Sequence, residues 1–161
     1  MWVGKFKIQH DDWILDSTIK YNIVARGVPV NSFIKNGKKY HTAFMFVYGE
    51  EKNKKNFVNS LNKNKKVKEY NIKGNQILVL VEGDDAVTHY FIDAFFLIQP
   101  VLLTEGFEYW EIGSWNREEL IKFYNQVKKI AKIEIIKLKE EMPSVFIQHA
   151  VPHLTEKQQH A

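Results

Sequence analysis

Titratable groups and an aromatic ring first crowd together at His10-Asp11-Asp12-Trp13. An imidazole, two carboxylates and an indole in consecutive positions can line a ligand pocket or hold a cation where the backbone turns. His10, Asp12 and Trp13 are therefore candidate ligand-binding residues, and the competing structural reading is a turn anchored by Trp13. A second acidic group, Glu82-Gly83-Asp84-Asp85, has the composition of a hydrolase acid pair. A strand end followed by a helix cap at Asp84 or Asp85 explains it more simply. His149 and His153 have the i, i+4 spacing of a zinc-binding helix, but Pro152 between them opposes a regular helix, so no metal ligand is assigned.

The composition narrows the chemistry. Cysteine is absent from the 161 residues, which excludes disulfide frameworks, thiol catalysis and Cys-ligated zinc or iron–sulfur centres. No glycine-rich phosphate loop, nucleophile elbow or paired-histidine zinc motif is present. The sequence makes no positive case for an enzyme, and no catalytic residue or cofactor is expected. Net charge is +4, carried almost wholly by lysine, with Arg26 and Arg117 the only arginines. Guanine edges are most often read by arginine, so the lysines at 52, 54, 55, 63, 65, 66 and 68 fit a solvated surface better than a reader of bases. An RNA-recognition module is opposed by the strand Ile77–Glu82, which carries no aromatic on which a base could stack. The N-terminus alternates apolar and polar residues and lacks the apolar core of a secretory signal, and Ala86–Leu103 is interrupted by His89, Asp93, Gln99 and Pro100. A cytoplasmic protein with no membrane partner is expected.

The elements that must position these residues follow from periodicity. His41–Gly49 is β-branched and aromatic and reads as a strand; residues 50–64 place Phe57, Val58 and Leu61 on one face of a helix. Lys73-Gly74-Asn75 divides residues 66–85 into a hairpin. Val87, Tyr90, Phe91, Ala94, Phe95 and Ile98 recur at helical spacing, predicting a helix to about Phe96, after which Pro100 forces an extended path through residues 100–106. Residues 107–113 read as a strand and 116–132 as a helix opened by an Asn116/Glu119 capping box, with Leu120, Tyr124, Val127, Ile130 and Ala131 as its buried stripe. Residues 133–139 form a further strand. Residues 2–10 and 22–30 are available to complete this second half, and 144–151 are available as an edge. The strand–helix–strand–strand–helix–strand order of residues 41–104 is ferredoxin-like. The expected fold is α+β: tandem, intertwined ferredoxin-like (ACT-like) halves with antiparallel sheets and helices packed on one face. The joint between the halves is the natural place for a pocket.

Leu154-Thr155-Glu156-Lys157-Gln158-Gln159 resembles the L-T-x-x-Q-like opening of the first DNA-binding helix in archaeal helix-turn-helix transcription regulators of the bacterio-opsin-activator type. In such regulators a mixed α/β domain of about this length runs directly into that helix. The resemblance implies an N-terminal regulatory or sensor domain over residues 1–153 and the beginning of a truncated helix-turn-helix domain at 154–161. On this reading DNA is a partner only through a C-terminal domain beyond Ala161, with no DNA-binding residue within the chain itself. A small-molecule effector and a homodimer are further expectations, the latter because such regulators read two half-sites. His10 to Trp13 resembles a His…Cys-Trp pattern of some relatives, with Asp12 where they carry cysteine, so a thiol or metal role is not carried over. A free-standing ACT-like small-molecule-binding protein without DNA binding is the alternative.

Overall fold

The computed structural model describes residues 1–143. The chain runs β1 (Trp2–Gln9), α1 (Trp13–Lys20), β2 (Val24–Lys35), β3 (Lys38–Tyr48), α2 (Glu51–Leu61), β4 (Val67–Lys73), β5 (Gln76–Glu82), a 3₁₀ turn (Val87–Tyr90), β6 (Phe96–Leu97), β7 (Val101–Thr104), β8 (Phe107–Ser114), α3 (Arg117–Val127) and β9 (Lys132–Glu140). It is an α+β protein. All strands join one nine-stranded sheet in the order β4-β5-β3-β2-β7-β8-β1-β9, with β6 pairing β8, and every strand pair is antiparallel.

The hairpins form where the backbone can take positive φ. Asn36 and Gly37, at φ 52° and 75°, turn β2 into β3, and Glu105 and Gly106, at 52° and 81°, turn β7 into β8. Two successive left-handed residues match the twist of the strands they join. Alternation then assigns the faces. In β5, Ile77, Val79 and Val81 are buried while Leu78 and Leu80 are half-buried; in β1, Phe6 and Ile8 point inward while Lys5 and Lys7 do not. Onto the inward face α1 delivers Ile14 and Leu15, α2 delivers Phe57 and Leu61, and α3 delivers Leu120, Phe123 and Val127, all in one continuous core. Each such side chain contributes roughly 1.5–3 kcal/mol by leaving water.

The two ends of the sheet share a connectivity. Outward from β2 the order is β2-β3-β5-β4, and outward from β7 it is β7-β8-β1-β9. In each set a hairpin is followed by a helix and an outer strand, and one strand inserts between the hairpin and that outer strand. In the second set the inserted strand is β1, from the start of the chain, pairing Phe6 with Trp110 on one side and with Ile135 on the other.

Three expectations are corrected. No α-helix spans residues 87–96: one 3₁₀ turn ends at Tyr90, and the chain continues irregularly into the short strand β6. Of its helically spaced residues Val87, Phe95 and Ile98 are buried, Tyr90 and Phe91 half-buried and Ala94 exposed, with Phe91 packed against Trp110 and Phe95 against Phe123. The turn expected at Trp13 is the start of a helix, α1, capped by the Asp12 side chain accepting from the Ile14 amide. Asn116 caps α3 by accepting from the Glu118 amide, but Glu119 pairs with Lys122 instead of reaching back, and the buried stripe is Leu120, Phe123 and Val127. The expectations for 144–151, His149, His153 and 154–161 lie outside the described residues.

Candidate functional site

The site begins with a register. Pairing of β1 with β8 sets Ile8 opposite Glu108, which places a carboxylate on the inward face together with Trp110 and Ile112. Directly beyond Ile8 and Gln9 the chain turns, and the His10 ring meets that carboxylate: Nε2 lies 3.2 Å from Glu108 Oε1 and 3.8 Å from Asp12 Oδ2. All three side chains are nearly out of solvent, at 3%, 7% and 11% exposure for His10, Glu108 and Asp12. Asp12 is in extended conformation at the N-cap of α1, and its Oδ1 accepts the Ile14 amide at 2.8 Å.

Electrostatics sharpen the arrangement. Burial, followed by the charge of Glu108, pushes the Asp12 pKa up to about 6, against the opposing pull of His10 and the Ile14 amide. Burial also works against a charged His10, yet its hydrogen bond with Glu108 and the charges of Glu108, Asp12 and Asp85 prevail and raise its pKa. Asp85, in the loop after β5, is held below its ordinary value by Lys66, whose Nζ lies 2.8 Å away, despite partial burial.

Across the joint from Asp12 stands His41 of β3, buried and edge-on to His89 at 5.6 Å. Burial first, then the proximity of His89, lowers the His41 pKa to about 4, so its ring is neutral at neutral pH. His89 donates from Nε2 to the Gly83 carbonyl at 2.7 Å and accepts at Nδ1 from the Ser32 hydroxyl, which pins it over the β2 bulge.

Between these groups lies a cavity of about 60 Å³. Asp12 and Trp13 line it from α1, His41 and Met45 from β3, Glu108 and Trp110 from β8, and the adjacent strands β2 and β7 supply Gly27, Pro29, Val101 and Leu103. It therefore straddles the β2–β7 joint between the two strand sets. Two polar atoms of its lining side chains, His41 Nδ1 and Trp110 Nε1, are buried without a partner among the described residues. Buried polar atoms of folded proteins are almost always paired, so two orphans at one cavity are a chemical demand rather than a packing detail.

Of the residues singled out in the sequence, Asp12 and Trp13 line the cavity, and His10 stands behind it, bridging Asp12 and Glu108. Trp13 also anchors α1, stacked on Phe57 of α2 at 6.3 Å. The Glu82–Asp85 stretch divides: Glu82 pairs with Lys38 and Lys68 at the surface, and neither Asp84 nor Asp85 caps a helix, Ala86 occupying that position. Lys54, Lys66 and Lys68 each hold an acidic partner, which weakens the lysine-rich run as a positive surface. Sequence reasoning assigns His41 to no site and reads the aromatic cluster 107–115, which holds Glu108 and Trp110, as core or dimer interface. A signal for Glu108 exists, because alternation in Phe107–Gly113 places it on the same face as Trp110 and Ile112. Among the described residues no three His, Asp or Glu side chains converge as metal ligands, and no helix is long and apolar enough to cross a membrane. No protein-family model matches the chain, and no curated protein matches it.

Proposed function

We propose that this chain is a regulatory, ligand-sensing domain without a catalytic step of its own, reading a small molecule at the joint between two intertwined ferredoxin-like halves. The strand order supports the fold part of this reading: β4-β5-β3-β2 and β9-β1-β8-β7 each have the outer–first–third–second order of a ferredoxin-like sheet, with first strands that lead through α1 and the 3₁₀ turn into the opposite half. A ligand at the joint touches both halves at once, so its binding energy can bias how they sit together.

The observation that carries the reading is the cavity with its two unpartnered polar atoms, lined by Asp12, Trp13, His41, Glu108 and Trp110. A sensing role fits its chemistry better than turnover. The lining includes no Ser, Cys or Lys, its one hydroxyl side chain, Thr88, has no hydrogen-bonded base among the described residues, Asp12 is committed to capping α1, and Glu108 to His10. Together with the resemblance at 154–159, this favours the sensor part of a helix-turn-helix transcription regulator, dimeric and reaching DNA through a further C-terminal domain. The test is to footprint DNA with the full natural gene product, with and without compounds that raise the thermal stability of this chain. Effector-dependent protection of one operator is the expected result. Tight operator binding by the 161-residue chain alone, or turnover in a phosphatase and esterase screen abolished by Glu108→Gln, overturns the proposal.

A further inference from the structure

The inner wall of the cavity is out of solvent: Met45, Val79, Val87 and Trp110 are each no more than 3% exposed. At about 60 Å³ the space holds a few water-sized groups of roughly 10–15 Å³ each, so anything larger enters only when part of the wall moves. Most of that wall is fixed by regular structure. Strands β2, β3, β5, β7 and β8 are paired with their neighbours, and α1 is capped by Asp12 and stacked through Trp13 on Phe57. Ala86, Val87 and Thr88 are the exception, because they lie in residues 83–95, which join β5 to β6 without a strand or an α-helix.

Residues 83–95 bond chiefly to themselves. The amides of His89, Phe91 and Phe95 reach the carbonyls of Ala86, Thr88 and Ile92. Among the described residues their one backbone bond to another element is at the base, from the Gly83 amide to the Lys39 carbonyl. Apolar packing holds the two ends of the segment better than its middle: Val87 and Phe95 are buried, Phe91 is half-buried against Trp110, and Ile92 and Asp93 are exposed. Segments with few bonds to the rest of a fold open at a lower free energy than the fold as a whole.

On the outer side of this segment lies a second space, an open cleft of about 440 Å³ walled by Val30 and Ser32 of β2 and by Phe91, Ile92 and Asp93. Pro29 and Thr88 line the cleft and the cavity alike, so they form the partition between the two. At this level β2 has no β7 partner, since that pairing ends at Gly27 and Val101. One side chain ties the segment to β2. His89 accepts at Nδ1 from the Ser32 hydroxyl and donates from Nε2 to the Gly83 carbonyl at 2.7 Å, linking the middle of the segment both to β2 and to its own base. The other tie, Lys66 with Asp85, is 44% and 42% exposed, and an exposed ion pair is worth little.

Resting on the reading of this cavity as the sensing site, we infer that residues 83–95 are its gate: a strap that lifts from Pro29, joins the cavity to the cleft and admits the ligand, with the Ser32–His89 hydrogen bond as its latch. A ligand that fills the cavity and touches Thr88 favours the closed strap, so the position of the strap follows occupancy.

The test labels introduced thiols in the whole 161-residue chain, which has no cysteine of its own. Val79→Cys puts a thiol in the cavity wall, with Met45→Cys as a second reporter there, and Val127→Cys puts one on α3, lining neither space; Val79 and Val127 are 1% and 0% exposed. Modification by methyl methanethiosulfonate is followed by mass spectrometry at fixed pH across urea concentrations below the unfolding transition. The cavity thiol is expected to react about tenfold faster than the α3 thiol or more, with little urea dependence, whereas the α3 thiol should follow the full urea dependence of global unfolding. Ser32→Ala is expected to speed the cavity thiol roughly two- to tenfold, the weight of one net hydrogen bond lost on opening, and Ser32→Thr, which keeps the hydroxyl, to restore the native rate. Equal rates and equal urea slopes at the two places overturn the gate, because the cavity then opens only when the whole chain unfolds. A cavity thiol that reacts fast but is indifferent to Ser32→Ala overturns the latch and the assignment of the opening to this strap. No ligand enters the measurement, so a failed sensing role, seen as effectors that never raise thermal stability, is a separate result.

Discussion

Replacing Asp12 by Asn should make the protein more stable at neutral pH and make its stability rise with pH where that of the native protein is nearly flat. The carboxyl is at about 6 in the fold against 3.8 in an unfolded chain, so the fold favours the protonated form. Stability from this group is therefore fully present below about pH 3.8, is lost as pH rises towards 6, and at pH 7 its absence costs about 3 kcal/mol at 1.36 kcal/mol per pKa unit. The charged groups facing it are Glu108 on β8, Asp85 after β5, His10 beyond β1 and Lys66 before β4, and the cationic partners oppose the rise. His41 works the other way. Its pKa falls from 6.5 to about 4 on folding, so its contribution is present above about pH 6.5, is lost as pH falls towards 4, and is again about 3 kcal/mol. In the native protein the two slopes oppose each other between pH 4 and 6 and largely cancel. Asn caps a helix about as well as Asp, so Asp12→Asn removes one slope without removing the cap. The variant should gain about 3 kcal/mol between pH 4 and 7, and at pH 7 should exceed the native protein by up to the same amount, or about 6–12 °C in Tm for a chain of this size. Urea unfolding followed by tryptophan fluorescence at half-unit pH steps reads this directly. Parallel stability curves for the two proteins would refute the buried, proton-favouring Asp12.

His41→Gln should show the converse, with stability falling by about 2 kcal/mol as pH rises from 4 to 6 through Asp12 alone; a profile as flat as that of the native protein in the same urea series would remove His41 from the account. Phe57→Ala removes a fully buried ring that supports both Trp13 and Tyr21, and should cost about 3–5 kcal/mol by chemical denaturation; a loss below 1 kcal/mol would mean that α1 and α2 do not share this core. The proposed homodimer should scatter light at twice the 19.0 kDa chain mass, with the half-buried Phe44, Phe46, Leu78 and Leu80, on the sheet face away from the three helices, as contact material, and a 19.0 kDa species throughout the micromolar range sinks it.

Periodicity served where one element faced one environment. The alternation of β5, the Lys73-Gly74-Asn75 turn and the Asn116 cap of α3 could all be read from neighbouring residues, because local chemistry decides them. Residues 87–98 misled for a physical reason: Phe91 and Phe95 pack against Trp110 and Phe123, partners from distant elements, and that spacing imitates a helix face without an α-helical hydrogen-bond ladder. Conversely, α1 has only eight residues, with Asp16, Ser17 and Thr18 in its interior, and tertiary packing of Ile14 and Leu15 overrides their weak propensity. His10, Asp12 and Trp13 were visible as a group because they are consecutive. Glu108, His41 and Trp110 join them only through the β1–β8 register and the β2–β7 joint, which no local pattern in the sequence specifies.

The insertion of β1 between β8 and β9 has a consequence for the order of events during synthesis. Strand β1, made before every other described strand, pairs Phe6 with Trp110 and Ile135, residues made more than a hundred positions later. At about 5–20 residues per second it waits roughly 5–20 s for the first of them, while β2 to β5 already have every neighbour they need except β7. During that interval Trp2, Val3, Phe6 and Ile8 form an apolar segment with unpaired edges on an incomplete chain, the stretch on which a nascent-chain chaperone gains most purchase. Moving β1 to follow β9, as a circular permutant, would let that half close as it emerges and shorten the exposed phase without altering a contact in the finished sheet.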